Sequence, residues 1–252
     1  MSEEKPSSTM RSLERAIDVL EVLEATRTPL RLSEVARRAG LHVATTQRIL
    51  STLEARGRVE QDGTGYRTGV AMLFGAHAYL ATNRLAATAP MILQQLAAAT
   101  GLTASVFVRA GSSRAVIARV EGNDPLRYVL PIGERLPLHL GAGKVIAAYM
   151  NPDELESALD GINEFTRADG TQISPDDFRN ELEEIRRRGW VASHDERVVG
   201  AASVAAPLIS ADGECLAAIQ VAGQTNNPAF ADPTPLGHEV RQAAGALTSR
   251  LG

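Results

Sequence analysis

The sequence contains a single cysteine, Cys215, so neither an intramolecular disulfide nor a multi-cysteine metal site can be built. Its apolar stretches are broken by charge or glycine well before the roughly 18 residues that a membrane span needs. Residues 1–10 carry Glu3, Glu4, Lys5 and Pro6 and lack the apolar core of a secretory signal. The histidines, His42, His77, His139, His194 and His238, never recur at a helical zinc-binding spacing, so no metal or cofactor is expected. There is no Gly-x-Ser-x-Gly elbow. Ser193-His194-Asp195 has the residue types of a hydrolase triad, but neighbours in an extended segment point in alternating directions. These absences leave the expectation of a soluble, cytoplasmic protein that keeps its thiol reduced, docks on no membrane and is not an enzyme.

A chain of 252 residues exceeds the usual single-domain size, which favours one small and one larger domain. With 44% hydrophobic and 22% charged residues, it has ample material for packed cores. The net charge of −4 would argue against a nucleic-acid partner only if the charge were evenly spread. It is not. Residues 27–67 hold eight arginines against Glu34, Glu54, Glu60 and Asp62, whereas residues 68–252 hold fourteen arginines and one lysine against twenty acidic residues. Only the N-terminal part is suited to phosphate. A solvated charged surface would give the same count, so the pattern must decide.

Leu13, Ala16, Ile17, Leu20 and Leu23 recur at helical spacing, with Ser12 ahead of them as a natural N-cap. After Thr28-Pro29, Leu32-Ser33 reads as an apolar residue plus N-cap before a short helix over 34–39, which Gly40 stops. A longer helix begins near Val43, with Thr46, Ile49, Leu50 and Leu53 inward and Thr45, Gln47, Arg48 and Ser51 on the opposite face, and ends at Gly57. A short helix, a glycine turn and a longer helix form a helix-turn-helix, whose second helix enters the major groove. Arg58-Val59-Glu60-Gln61, a turn over 62–65 and Tyr66-Arg67-Thr68 follow as a β-hairpin, the wing. Arg48 and Gln47 have the donors and acceptors for guanine and adenine edges, and Thr45 can meet a thymine methyl or a phosphate. The expected DNA-facing set is Arg11, Ser33, Thr45, Gln47, Arg48, Ser51 and Arg67.

From Gly69 to about Asn83 an apolar helix is expected, with no charged residue between Arg67 and Arg84. Two readings stay open for it: a surface covered by a dimer partner, or burial within its own chain. Beyond it the pattern gives a helix over 90–99, strands over 105–108, 115–120 and 128–130, and helices over 143–150, 152–159 and 175–188. Strands over 202–209 and 215–222 flank Ala211-Asp212-Gly213, and a last helix covers 235–251. Paired strands with intervening helices make this an α+β sheet domain. Gly141-Ala142-Gly143-Lys144 has the look of a phosphate loop, but a Walker A motif would need glycine at Leu138 and a hydroxyl at Val145. The segment is either an anion site built from backbone N–H groups or a tight turn without a ligand. Lys144 reads as a structural or fringe cation.

Taken together, these residues resemble the IclR family of bacterial regulators over nearly the whole chain. Ser12-Leu13-Glu14-Arg15-Ala16, Leu32-Ser33-Glu34-Val35-Ala36 and Arg48-Ile49-Leu50-Ser51-Thr52-Leu53 carry it in the N-terminal part, with Tyr66-Arg67-Thr68-Gly69 at the end of the wing. Ala89-Pro90, Thr100-Gly101, Leu136-Pro137-Leu138-His139, Gly141-Ala142-Gly143-Lys144 and Ala205-Ala206-Pro207 follow in the family's order. The resemblance implies a winged helix-turn-helix joined by a linker helix to a GAF-like effector-binding domain. It implies dimers that can pair into tetramers, a double-stranded DNA operator, and a small organic acid as effector. The corresponding boundaries are 1–10 for a disordered tail, 11–69 for the DNA-binding domain, 70–84 for the linker and 85–252 for the effector domain. The family's ligand-contacting positions fall on Tyr128, Leu136, Gly141, Ala142, Ser193, Ala201, Ser203, Gln220 and Ala222. Members that bind small keto acids have an acidic residue at the position of Ser193, a cysteine at Ser203, and hydroxyls at Gln220 and Ala222. Tyr128 reads equally as a pocket wall or a core tyrosine, and the small Ala201 and Ala222 leave room for an aromatic acid.

Overall fold

The computed structural model describes residues 8–123, 130–160, 162 and 164–251, which divide into two compact units, Met1–Tyr79 and Leu80–Gly252. In the first unit, helices α1 (Ser8–Glu24), α2 (Leu32–Arg38) and α3 (Val43–Ala55) precede strands β1 (Val59–Asp62) and β2 (Gly65–Thr68). Val19 and Leu23 of α1, Val35 of α2, Leu50 of α3 and Tyr66 of β2 close one core. Leu13 and Ile17 stay exposed, because a seven-residue α2 is too short to cover a 17-residue α1.

Helix α1 begins at Ser8, so residues 8–10 are helical rather than part of a tail, and Ser12 lies inside the helix instead of capping it. No glycine or proline separates Ser8 from Ser12, and nothing local stops the helix there. Residues 1–7 lie outside the described residues. Ser33 is likewise not a cap: the amides of Glu34 and Val35 both donate to the Arg31 carbonyl, which starts α2 earlier. The hairpin turns where Asp62 Oδ1 accepts from the backbone N–H groups of Thr64 and Gly65, at 2.8 and 3.2 Å. Tyr66 exchanges two backbone hydrogen bonds with Leu30, an added bridge that the sequence pattern did not signal.

Helix α4 (Met72–Thr82) has no buried residue, and Phe74 is 69% exposed. In the second unit α5 (Arg84–Thr100) starts at once, because the Asn83 side chain accepts from the Ala86 amide and caps it. Pro90 thus lies within the helix rather than at its start.

Strands β3 (Thr103–Ala110), β4 (Ser113–Val120) and β5 (Arg135–Pro137) lead to helices α6 (Ala142–Ala148) and α7 (Pro152–Leu159). A small ribbon of β6 (Phe165–Thr166) and β7 (Gln172–Ile173) precedes α8 (Pro175–Arg188). Then come β8 (Val191–His194), β9 (Ala201–Ile209), β10 (Cys215–Gln224) and α9 (Thr234–Thr248). The main sheet has the order β5-β4-β3-β10-β9-β8, antiparallel throughout. The strand expected over 128–130 falls largely outside the described residues, and Leu130 is not in a strand. The strand at the β4 edge is β5, three residues long and too short to show a period.

Both faces of the sheet are covered. Ala104, Val106, Val204, Ile219 and Val221 pack with Leu93 and Leu96 of α5 and Val240 and Leu247 of α9. Phe107, Val116, Ala205 and Ala218 face the other way, with Val145 of α6 and Leu182 and Ile185 of α8. Side chains alternate between faces along a strand, so Ser203 and Gln220 belong with Ala205 and Ala218. Ser203 pairs in register with Ser193 on one side and Ala222 on the other, and Gln220 with Ala205 and Ser105. A polar corner thus interrupts the apolar α6 face.

Candidate DNA-reading face and effector cavity

In α3 the inward and outward positions separate cleanly. Thr46 is fully buried and donates to the His42 carbonyl at 3.2 Å. Gln47, Arg48 and Ser51 are exposed and Thr45 is half-buried. Gln47 Nε2 donates to the Tyr66 hydroxyl at 3.3 Å, so the wing orients that amide. The Arg48 guanidinium makes no hydrogen bond or ion pair among the described residues. Arg67 is exposed but engaged within the wing, 3.3 Å from Glu60 and 3.6 Å from Asp62. Arg11 and Ser33 are exposed on α1 and α2. Two more arginines of the basic stretch, Arg37 and Arg38, both pair with Glu34, and these hydrogen bonds hold its carboxyl down to about 2.

In the second unit the polar corner encloses a cavity of about 60 Å³. Of the ligand positions expected from the sequence, Gly141, Ser193, Ala201, Ser203, Gln220 and Ala222 line it. Ala142 and Leu136 do not: both are buried in the apolar core on the α6 face. Tyr128 lies outside the described residues. Arg114, Glu196 and Arg197 line the cavity as well, and sequence reasoning passed over all three. For Arg114 a signal existed, since it shares a strand face with Val116 two residues on, but with both sheet faces buried no polar alternation marked it.

Arg114 is only 3% exposed. Its Nη1 donates to the carbonyls of Pro137, at 2.7 Å, and Leu140, and its guanidinium carbon lies 5.1 Å from the Phe107 ring centroid. A side chain at Gly143 would collide with that guanidinium. Gly141 has φ +53°, the left-handed region that favours glycine. A Cβ there would lie 3.4 Å from Gln220 Oε1, 3.5 Å from Arg114 Nη2 and 3.7 Å from Ser203 Oγ. Polar atoms of β10, β4 and β9 thus converge on one point at the cavity.

Lys144 is 0% exposed and sits 2.5 Å from both Glu181 and Glu196, while Arg167 is 3.3 and 3.2 Å from the same two carboxylates. The four charges balance. Glu196 also accepts from the Gly141 amide at 2.8 Å, and Gln220 Oε1 accepts from the Ala142 amide at 3.1 Å. The N–H groups at the Gly141 turn are therefore already occupied by the protein's own side chains. Ser193 Oγ is buried without a hydrogen-bond partner among the described residues. His194 is exposed and packs edge-on to Phe230, while Asp195 accepts from the Gly200 amide and the Thr225 hydroxyl. The three triad residue types are not assembled. His139, half-buried, is held below the ordinary imidazole pKa by burial and then by the Arg114 charge, against the opposing pull of Glu196.

A wider groove of about 860 Å³ between the ends of α8 and α9 includes Arg186, Arg187, Arg188 and Arg241. It gathers none of the expected ligand positions. Three of its arginines are engaged locally: Arg186 donates to the Ala148 carbonyl, Arg187 pairs with Glu184, and Arg188 stacks on Trp190. Cations at a helix C-terminus also complement its dipole.

A winged helix with an open recognition face, followed by a sheet domain enclosing a polar cavity, defines a ligand-responsive DNA-binding regulator. Residues 12–63 match the family model described as the IclR helix-turn-helix domain, and residues 77–249 match that of the bacterial transcriptional regulator IclR C-terminal domain. The chain belongs to the IclR family of bacterial transcriptional regulators. It is 30% identical to the HTH-type transcriptional regulator BhcR of Paracoccus denitrificans, over 96% of this chain and 88% of that protein. Identity to the acetate operon repressor of Salmonella typhimurium is 29%, over 98% and 95% of the two chains. The crystal structure of an IclR homologue from Microbacterium hydrocarbonoxydans, complexed with 4-hydroxybenzoate, superposes with a TM-score of 0.71 at 22% identity, covering 95% of this chain and 98% of that one.

Proposed function

We propose that this regulator reads its operator through α3 and the wing, and that a small organic acid bound in the polar corner of the second unit sets its operator affinity. The observation that carries the first half is the open face of α3, where Arg48 is exposed and uncommitted beside Thr45, Gln47 and Ser51. Arg11, Ser33 and Arg67 are assigned to phosphates flanking it. The second half rests on the cavity, its buried cation and the unpartnered Ser193 hydroxyl. As it stands, about 60 Å³ suits a short acid, and an aromatic acid such as the 4-hydroxybenzoate of the Microbacterium homologue requires widening.

The protein acts by binding rather than by turnover, in the cytoplasm, with no metal. A second copy of the chain covers the exposed apolar residues of α4, making a homodimer that can pair further into a tetramer, and the acid acts by changing how the two DNA-reading units are held. Selection from random duplex DNA tests this reading: a two-fold symmetric site should be enriched, and the sedimenting species should be a dimer or larger at micromolar concentration. Failure to enrich any sequence, or sedimentation as a monomer only, would contradict it.

A further inference from the structure

We infer that the groove between the ends of α8 and α9 is a ligand site separate from the polar cavity, and that it takes a phosphate monoester carrying an apolar body. Its volume of about 860 Å³ lies in the range of small-molecule sites, whereas the polar corner encloses about 60 Å³. Arg186, Arg187, Arg188 and Arg241 line the groove and, among the described residues, no acidic side chain does. Among those residues Glu184 is the only carboxylate in an ion pair with any of the four, 2.5 Å from Arg187 and 3.9 Å from Arg188. That carboxylate is shared by two cations, and Arg186 and Arg241 have none.

These two arginines are placed to act together. Arg186 Nε donates to the Ala148 carbonyl, which fixes the side chain without neutralising it and leaves both Nη groups without a partner among the described residues. Arg241 lies against the left-handed turn that ends α8: a Cβ at Gly189, where φ is +77°, would be 3.2 Å from Arg241 Nε. It makes no hydrogen bond or ion pair among the described residues. Tyr149 of the same wall links them. Burial and then Cys215 raise its hydroxyl pKa, and Arg186 and Arg241 both pull against that rise, so both guanidiniums act on one ring. Thr248, also in the wall, has a buried hydroxyl with no hydrogen-bond partner among the described residues. A phosphate monoester brings close to two negative charges and three strong acceptor oxygens at neutral pH, which suits two guanidinium forks and two hydroxyls better than a single carboxylate does. The rest of the wall is apolar: Pro207, Ile209, Leu216 and Leu251 line it, and Leu216 is 40% exposed. An apolar body on the ligand would take that surface out of water.

The test is thermal unfolding of the full chain at constant pH and ionic strength with naphthyl phosphate, and with naphthol, naphthoate and inorganic phosphate as its partial matches. A compound that favours the folded state raises the melting temperature. Naphthyl phosphate should raise it and naphthol should not, while naphthoate and inorganic phosphate should each require roughly tenfold higher concentration for the same rise. Arg241→Ala and Arg186→Gln should each weaken the apparent affinity for naphthyl phosphate about tenfold or more. Circular dichroism checks that both variants are folded, and Arg241→Ala, at an exposed position, decides if Arg186→Gln is not. No rise with naphthyl phosphate, or an undiminished rise in folded Arg241→Ala, would overturn the site. An equal rise with naphthoate would overturn the phosphate assignment. Each of these outcomes leaves the reading of the polar cavity untouched.

Discussion

The two units use positive charge in opposite ways. In the winged helix Arg48 stands in solvent on the recognition face, whereas in the sheet domain Arg114 and Lys144 are 3% and 0% exposed. An exposed arginine keeps its hydration until a polyanion arrives, so its contribution to binding is modest per contact and falls with salt. A buried cation has lost its water on folding and must be held by fixed partners. Lys144 has two carboxylates for this, and Arg114 has two backbone carbonyls and a ring. A flat surface that must slide along DNA benefits from the first arrangement. Cations inside the core of a folded domain require the second.

The largest effect expected from breaking this contrast is at Lys144. Removing one member of a buried pair leaves the other uncompensated, so Lys144→Met should lower unfolding stability by about 3–5 kcal/mol. Urea denaturation measures it, and a loss below roughly 1 kcal/mol would place the pair in the range of surface salt bridges. Next comes Arg48→Ala, which should weaken operator binding by roughly 1–3 kcal/mol and leave the thermal midpoint unchanged. Anisotropy titration reads the first and a melt the second, and unchanged operator affinity would remove Arg48 from the readout.

A smaller effect belongs to His139. Its folded-state pKa is lowered by burial and by Arg114, so on acidification the unfolded chain takes up its proton first. Stability therefore rises with pH in that window and is lost as pH falls from about 6.5 through the lowered folded value. Melts between neutral and mildly acidic pH should show this slope, and His139→Gln should flatten it. The carboxylates that are lowered, such as Glu156 beside Arg179, lose their contribution only as pH falls through and below the ordinary carboxylate value of 4.5. The smallest effect is chemical. Burial pushes the Cys215 thiol up to about 11, so it should stay unreacted with a disulfide reagent at neutral pH until the protein is denatured. Rapid reaction of the native protein would contradict that.

How much of this was legible in the sequence also differs between the units. In the first, strong local signals sit close together: Gly40 and Gly57 bracket α3, and Thr46 faces inward as its spacing requires. The errors there were at helix starts, where Ser12 and Ser33 looked like caps but the backbone was already satisfied upstream. In the second unit helices such as α8 were legible from end to end, since Ser174 caps it and Gly189 ends it. The cavity was legible only in part. Ser193, Ser203 and Gln220 were singled out through the family resemblance, whereas Arg114 and Glu196 reach the same cavity from distant segments. Their meeting depends on the strand order β5-β4-β3-β10-β9-β8, which joins elements more than a hundred residues apart and leaves no local trace.

Operator titration in the presence and absence of an acid that stabilises the protein tests most directly whether the two kinds of charge belong to one device. A ligand can move operator affinity only through different affinity for two states of the protein, and operator DNA must then change acid affinity by the same factor. The expected result with such an acid is a shift of roughly 5- to 150-fold in operator affinity, matched by the reciprocal shift in acid affinity when operator is saturating. An acid that raises the melting temperature yet leaves operator affinity unchanged would contradict the coupling of cavity to DNA.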